Sequence, residues 1–190
     1  MICAIIMASG FSRRMGQNKL LMKYNNKFLI EHTLNTIDEC GFEEKILVTQ
    51  YNEIKHIGEK LNYKVVMNMN PDKGQSESIK LGVENSPDCN GYMFFVGDQP
   101  LLNKQDIKKL IKVFKEDTSY IVIPKFDNKK GNPVIYPNIY KKEILNLNGD
   151  KGGKSIIKSS NKIKYVDVSE NTLFDIDDAE DFNILLDRKE

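Results

Sequence analysis

The strongest constraint on the fold is an alternation of two kinds of segment. Short apolar runs at residues 2–7, 45–50, 64–68, 92–96 and 120–124 are separated by stretches with helical spacing. The runs lack in/out alternation, as expected for strands covered on both faces, and strands alternating with amphipathic helices predict an α/β fold. The spacing predicts a helix over 29–40, with Ile30, Leu34 and Ile37 on one face and Gly41 as its left-handed terminator. A second helix starts at Asn103, an N-cap with Asp106 three residues on, and continues through Ile107, Leu110, Ile111 and Phe114. Lys108, Lys112 and Lys115 fall on its opposite face and read as a solvated surface. In the second half, Asp127-Asn128-Lys129-Lys130-Gly131 is a turn between apolar segments 121–124 and 134–136, so the sheet is expected to be mixed and mainly parallel. Helices are expected over 138–147, 153–160 and 178–188, the last with Ala179, Phe182, Leu185 and Leu186 on one face, and a strand over 163–168.

Composition excludes several function classes. The 190 residues carry 28 Lys+Arg against 27 Asp+Glu, a net charge of +1, whereas a nucleic-acid binder normally needs a basic excess. No apolar run approaches the roughly 20 residues of a membrane span, and the first seven residues lack the basic start of a signal sequence. Cys3, Cys40 and Cys89 are far apart and without CxxC spacing, which suits a reducing cytoplasm. His32 and His56 are too few for a His/Cys zinc site and read as structural or surface residues. The expectation is one cytoplasmic domain.

The chemistry concentrates in four places. The first apolar run leads directly into Ala8-Ser9-Gly10-Phe11-Ser12-Arg13-Arg14-Met15-Gly16-Gln17-Asn18-Lys19. Glycines after a buried strand let backbone N–H groups close round phosphate oxygens, and fixed cations offset the charge. The spacing is neither that of a Walker A loop nor GxGxxG. Second, Gly97-Asp98-Gln99-Pro100 follows the run 92–96, placing a carboxylate at a strand end where Mg²⁺ bridging phosphates is its natural partner. Third, in Phe174-Asp175-Ile176-Asp177-Asp178 an extended backbone puts Asp175 and Asp177 on one face with Ile176 inward, either carboxylate able to complete a metal site, while Asp178 is placed to cap the last helix. Fourth, Gly74-Gln75-Ser76-Glu77-Ser78 offers a helix start with Ser76 as N-cap. A decoy lies at Asn148-Gly149-Asp150-Lys151-Gly152-Gly153-Lys154-Ser155: it ends like a Walker A loop, but its first glycine is Asn148 and amphipathic helix precedes it.

Together, Ala8-Ser9-Gly10, Arg14-Met15-Gly16 and Lys19-Leu20-Leu21 resemble the signature of the nucleotidyltransferases related to molybdopterin-guanine dinucleotide synthase, with the molybdenum cofactor cytidylyltransferase branch nearest. Gly74 to Ser78, Gly97-Asp98-Gln99-Pro100, Gly131-Asn132-Pro133-Val134, Gly149-Asp150-Lys151-Gly152 and Asp175-Ile176-Asp177 recur in the family's order. The resemblance implies a three-layer, Rossmann-like nucleotide-diphospho-sugar transferase fold with a mixed sheet, over residues 1–190 as a single domain. It implies transfer of CMP from CTP to the phosphate of a molybdopterin-type cofactor, with Mg²⁺ and release of pyrophosphate, and a molybdoenzyme as delivery partner. The same chemistry with another NTP or a sugar or alcohol phosphate, and a catalytically silent nucleotide-binding module, are the alternatives. On this resemblance Ala8, Ser9 and Gly10 lie against base and ribose, and Arg14 and Lys19 hold the triphosphate. Asn68 and Ser78 contact base or ribose, and Asp98 and Asp177 bind the metal. Ser9 departs from the Gly common in the guanylyl branch, Asn132 stands where many relatives carry His before the Pro, and Lys154 keeps a charge where relatives often have Arg.

Overall fold

The computed structural model describes residues 1–188. Its strands are β1 Ile2–Ala8, β2 Lys23–Tyr24, β3 Lys27–Phe28, β4 Glu44–Thr49, β5 Lys64–Met67, β6 Gly91–Val96, β7 Ile121–Phe126, β8 Lys129–Lys130, β9 Val134–Pro137 and β10 Ile163–Asp167. The α-helices are α1 Leu29–Asp38, α2 Asn52–Lys60, α3 Gln75–Glu84, α4 Lys104–Glu116, α5 Lys141–Leu145, α6 Lys154–Ser159 and α7 Ala179–Asp187. The main sheet runs β10-β7-β9-β6-β1-β4-β5, and β8 adds to β7 as a hairpin. β1 pairs in parallel with both β4 and β6, β4 with β5, and β7 with β10, while β9 runs antiparallel between β6 and β7. The expected mixed, mainly parallel sheet is observed, with β9 as the reversed strand.

The absence of in/out alternation has its expected cause. In β1, Ile2, Ala4 and Ile6 join a core with Leu34 of α1, Ile54 of α2 and Leu110 and Phe114 of α4. The intervening Cys3 and Ile5 join a second core with Ile79 and Val83 of α3, Ile144 of α5 and Ile156 of α6. Apolar side chains therefore leave both faces of the strand, and the three layers follow from burying both. A third cluster, Tyr24, Leu29, Ile176 and Leu185, fastens the chain from Ile176 through α7 to the β2–β3 hairpin.

Local signals held where they were specific. Asn103 caps α4, its side chain accepting from the Gln105 and Asp106 amides, and Lys108, Lys112 and Lys115 are exposed. Asp178 caps α7 in a capping box with Asp181. Two readings are corrected. Leu186 is 51% exposed because Leu185 turns into the core and carries Leu186 outward. Ser76 is not an N-cap: the helix begins at Gln75, two residues earlier than a Ser76 cap would give, with Gly74 at φ 83° as its N-cap, and Ser76 is buried in its first turn.

The order β5-β4-β1-β6 matters most for function. The chain leaves β1 towards β4 and later returns to β6 on the other side of β1, so the order of winding reverses between β1 and β6. In open α/β sheets the crevice beyond the carboxyl ends of such a strand pair is the ligand site. The glycine loop follows β1 and Gly97-Asp98 follows β6, so both open onto this crevice.

Candidate functional site

The loop after β1 is held from the neighbouring strand end. Thr49 Oγ1 donates to the Ala8 carbonyl at 3.0 Å, Gln50 Nε2 to the Ser9 carbonyl at 2.8 Å, and Tyr51 Oη to the Gly10 carbonyl at 2.9 Å. Ser9 Oγ donates to the Val48 carbonyl at 3.2 Å, so its hydroxyl is engaged by the scaffold. Beyond Gly10 the chain takes left-handed turns at Ser12 (φ 51°) and Gly16 (φ 65°), and the Ser12 hydroxyl accepts from the Lys19 amide at 3.2 Å. Asn18 then caps a short 3-10 turn, Lys19–Leu21, that buries Leu20 and directs Lys19 into the cleft.

Lys19 is the centre of the arrangement. Its Nζ lies 2.5 Å from Asp98 Oδ2, 2.6 Å from the Ile176 carbonyl and 3.4 Å from Asp177 Oδ1, so each of its three donors has an acceptor. Burial alone would lower the pKa of this ammonium, but the charges and hydrogen bonds of Asp98 and Asp177 outweigh it and raise it. Lys19 therefore stays charged throughout the physiological range. Arg14 approaches Asp177 Oδ2 at 3.7 Å from the exposed side of the cleft.

Asp98 sits at the end of β6 with its side chain 16% exposed. One oxygen holds Lys19, while Oδ1 is buried without a hydrogen-bond partner. An unsatisfied buried carboxylate oxygen is costly, and a hard divalent cation is the kind of group that satisfies it. Among the described residues no group of three or more His, Cys, Asp or Glu is placed to hold a metal ion. A metal here would rest on Asp98 and Asp177 and complete its shell from phosphates and water, the regime Mg²⁺ prefers over an all-protein cage.

Asp175 faces a different environment. It accepts from Gln99 Nε2 at 2.7 Å, and the same amide nitrogen lies 3.2 Å from the carbonyls of Asn132 and Thr172. Burial, joined by repulsion from Asp98 and Asp177 and only partly offset by Gln99 and Lys129, raises its pKa to about 6. The extended 174–177 segment turns Ile176 fully inward, as expected, and its amide donates to the Asp98 carbonyl at 3.0 Å.

Ala8, Ser9, Gly10, Arg14, Lys19, Ser78, Asp98 and Asp177 line one cleft of about 420 Å³. Asn68 does not line it. Asn68 is 2% exposed, donates from Nδ2 to Ser78 Oγ at 3.2 Å and accepts on Oδ1 from the Asn70 amide at 2.9 Å, so it stands behind Ser78 and fixes that hydroxyl. Neither histidine approaches the cleft: His32 Nε2 pairs with the Tyr24 carbonyl at 2.8 Å and His56 lies 3.5 Å from Glu59.

Two participants escaped the sequence. Asp150 lines the cleft and accepts from the Gln75 amide at 3.1 Å, taking the helix-start role expected of Ser76. Its signal was hidden in the Walker-like decoy, 75 residues away along the chain. Gln99, fully buried, ties β6 to the loop after β8 and to the 172–175 segment, yet Gly97-Asp98-Gln99-Pro100 pointed only to its aspartate.

Comparison with known proteins identifies the fold and the family. A relative from Pyrococcus horikoshii is 24% identical over 168 residues, covering 87% of this chain and 82% of its own. One from Clostridium perfringens is 31% identical over 169 residues, covering 84% and 79%. Each is named a probable molybdenum cofactor guanylyltransferase. Among solved structures, Rv0371C from Mycobacterium tuberculosis, crystallised as a complex with manganese, superposes with a TM-score of 0.83 at 21% identity, covering 99% of each chain. Residues 4–164 match the MobA-like NTP transferase domain, and the chain belongs to that family of nucleotidyltransferases.

Proposed function

We propose that the chain transfers CMP from CTP to the phosphate of a molybdopterin-type acceptor, releasing pyrophosphate, as one cytoplasmic nucleotidyltransferase domain over residues 1–190. The observation that carries this reading is the convergence of Lys19, Arg14, Asp98 and Asp177 beside the glycine loop at the winding reversal of the sheet. An acceptor phosphate oxygen attacks the α-phosphorus in line: the new O–Pα bond forms as the bond from Pα to the bridging oxygen breaks, and pyrophosphate leaves with that electron pair. No protein nucleophile is required, and catalysis consists of positioning and charge neutralisation. Lys19 and Arg14 hold the phosphates, and residues 8–10 with Ser78, braced by Asn68, hold the nucleoside. Mg²⁺ held by Asp98 and Asp177 would neutralise charge on the phosphates and align the leaving group.

The local electrostatics favour this division of labour. Arg14 and Lys19 against Asp98 and Asp177 sum to zero formal charge. A divalent cation would add two positive charges, about half of what the roughly fourfold negative charge of a bound triphosphate calls for. Cytidine as the base rests on the resemblance alone, in which Ser9 stands where the guanylyl branch commonly carries Gly. A second reading, GTP as donor, is favoured by the names of the curated relatives.

The test is pyrophosphate release by the purified chain with each NTP and Mg²⁺, with and without molybdopterin cofactor. Release that needs the cofactor and is fastest with CTP is the expected result. Fastest release with GTP moves the donor to the second reading, and no release with any pair sinks the transferase reading.

A further inference from the structure

The two carboxylates of the cleft lie on segments that meet only in the fold, Asp98 at the end of β6 and Asp177 in the 172–177 strap ahead of α7. The β6 side is rigid. Thr33 Oγ1, fully buried on α1, stands 3.2 Å from the Gly97 carbonyl and 3.1 Å from the Gln99 carbonyl, so one hydroxyl braces the backbone on either side of Asp98. A Cβ on Gly97 would stand 2.8 Å from Ile30 Cδ1, which shows how closely this turn is pressed onto α1. Gln99 is an arm on that fixed base. Its Nε2 carries two protons and faces three oxygens: Asp175 Oδ1 at 2.7 Å and the Thr172 and Asn132 carbonyls at 3.2 Å. Its Oε1 is buried without a hydrogen-bond partner among the described residues. Reversing the amide would set oxygen against three oxygens, so its orientation is fixed by its surroundings. A buried acceptor left unpaired is unfavourable, and what the side chain gains in return is a hold on the strap.

We propose that Gln99 is a positioning residue for the cation site: its amide fixes the strap so that Asp177 faces Asp98 at a spacing one divalent cation can bridge. The proposal deepens the transferase reading and rests on its assignment of one cation to these two aspartates. Gln99 does not line the cleft, so it acts through Thr172 and Asp175, and Asp177 follows two residues after Asp175. Ile176 between them is fully buried, with its amide on the Asp98 carbonyl at 3.0 Å, so a shift of Asp175 is passed along an anchored backbone to Asp177. A site with two protein ligands has none to spare. Mg²⁺ demands near-ideal octahedral geometry, and the spacing of the pair therefore decides affinity. Hydrogen bonds behind metal ligands typically govern metal affinity by about 10–100-fold. The strap has other anchors: Lys129 Nζ donates to the Leu173 carbonyl at 2.6 Å, and Ile176 packs with Tyr24, Leu29 and Leu185. Removing the Gln99 amide loosens the spacing without detaching the segment.

The test is Mn²⁺ binding to the full chain without nucleotide, read from the EPR signal of the free ion. The wild type is expected to bind Mn²⁺, and Asp98→Asn to lose it. Gln99→Met, equal in length and without a donor, is expected to bind about 10–100-fold more weakly. Gln99→Asn, one methylene short of the strap, is read in the same way where the methionine variant does not fold. Gly82→Ala strains the contact between α3 and Ile5 of β1, and it is expected to lower the unfolding midpoint while keeping wild-type Mn²⁺ affinity. Wild-type affinity in the Gln99 variants, or equal weakening in Gly82→Ala, would overturn the proposal. So would a wild type that binds no Mn²⁺, or binding undiminished in Asp98→Asn. Pyrophosphate release is not read, so a chain that binds Mn²⁺ in this way but transfers nothing sinks the transferase reading and leaves the role of Gln99 standing.

Discussion

Asp175→Asn separates a burial effect from a charge effect at the candidate site. The Asp175 carboxyl has its pKa moved from 3.8 to about 6, first by burial and then by repulsion from Asp98 and Asp177. A group whose folded pKa lies above its unfolded one binds more protons in the native state, so stability falls as pH rises between the two values. Two pKa units correspond to about 3 kcal/mol at 1.36 kcal/mol per unit. Below pH 3.8 both states are protonated and Asp175 costs nothing; above pH 6 the native state carries the whole penalty. Asparagine keeps an oxygen for the Gln99 amide, 2.7 Å away in the wild type, and has no charge to desolvate. The variant is therefore expected to be close to wild type at pH 3.5 and about 2–3 kcal/mol more stable at pH 7.5. Urea unfolding at half-unit pH steps in the presence of a chelator measures this, with the difference between the curves cancelling every other titration. A difference independent of pH, or a variant less stable than wild type at pH 7.5, would refute the assignment of the penalty to this carboxylate.

Three further outcomes follow from the same geometry. Lys19→Met is expected to lower the rate of pyrophosphate release about 100-fold or more, as for a lost oxyanion donor, and near-normal turnover would remove Lys19 from the phosphate site. Asn68→Ala leaves the Ser78 hydroxyl and the Asn70 amide without their partner, so it should lower stability by about 1–3 kcal/mol and raise KM for the nucleotide more than it lowers kcat. Gly82→Ala places a methyl into Ile5 at the contact between α3 and β1, and a loss of about 1–3 kcal/mol in thermal or urea unfolding is expected where a helix-propensity argument alone predicts a gain.

Much of the fold was legible because its signals are local and repetitive. Buried strands announce themselves by apolar runs, and α4 by a cap followed by period 3.6, so β1, β6 and α4 fall within a residue or two of their expected bounds. The β2–β3 hairpin went unread, although Asn25 and Asn26 both adopt positive φ and an Asn-Asn pair between short strands is a hairpin signal. Its strands are two residues long, too short for any periodicity to register. The cleft itself was legible at its glycines and at Lys19 and Asp98, whose chemistry is intrinsic to residue type and strand-end position. Asp150 and Gln99 were not, because their roles depend on pairings between distant segments that composition and spacing do not encode. Asn68 marks the boundary: it lies near the cleft, but burial turned it into a brace for Ser78.

The three acceptors of Lys19 include the Ile176 carbonyl and Asp177, 157 and 158 residues further along the chain. During synthesis the first turn of the fold emerges from the ribosome long before the segment that completes the lysine's coordination. A nascent chain that has made β1 through β6 already exposes the glycine loop and Asp98, but it lacks the strap that anchors the ammonium and supplies the second carboxylate. The Lys19–Asp98–Asp177 cluster is thus assembled only once the chain has been made through Asp177, whatever the state of the sheet before it.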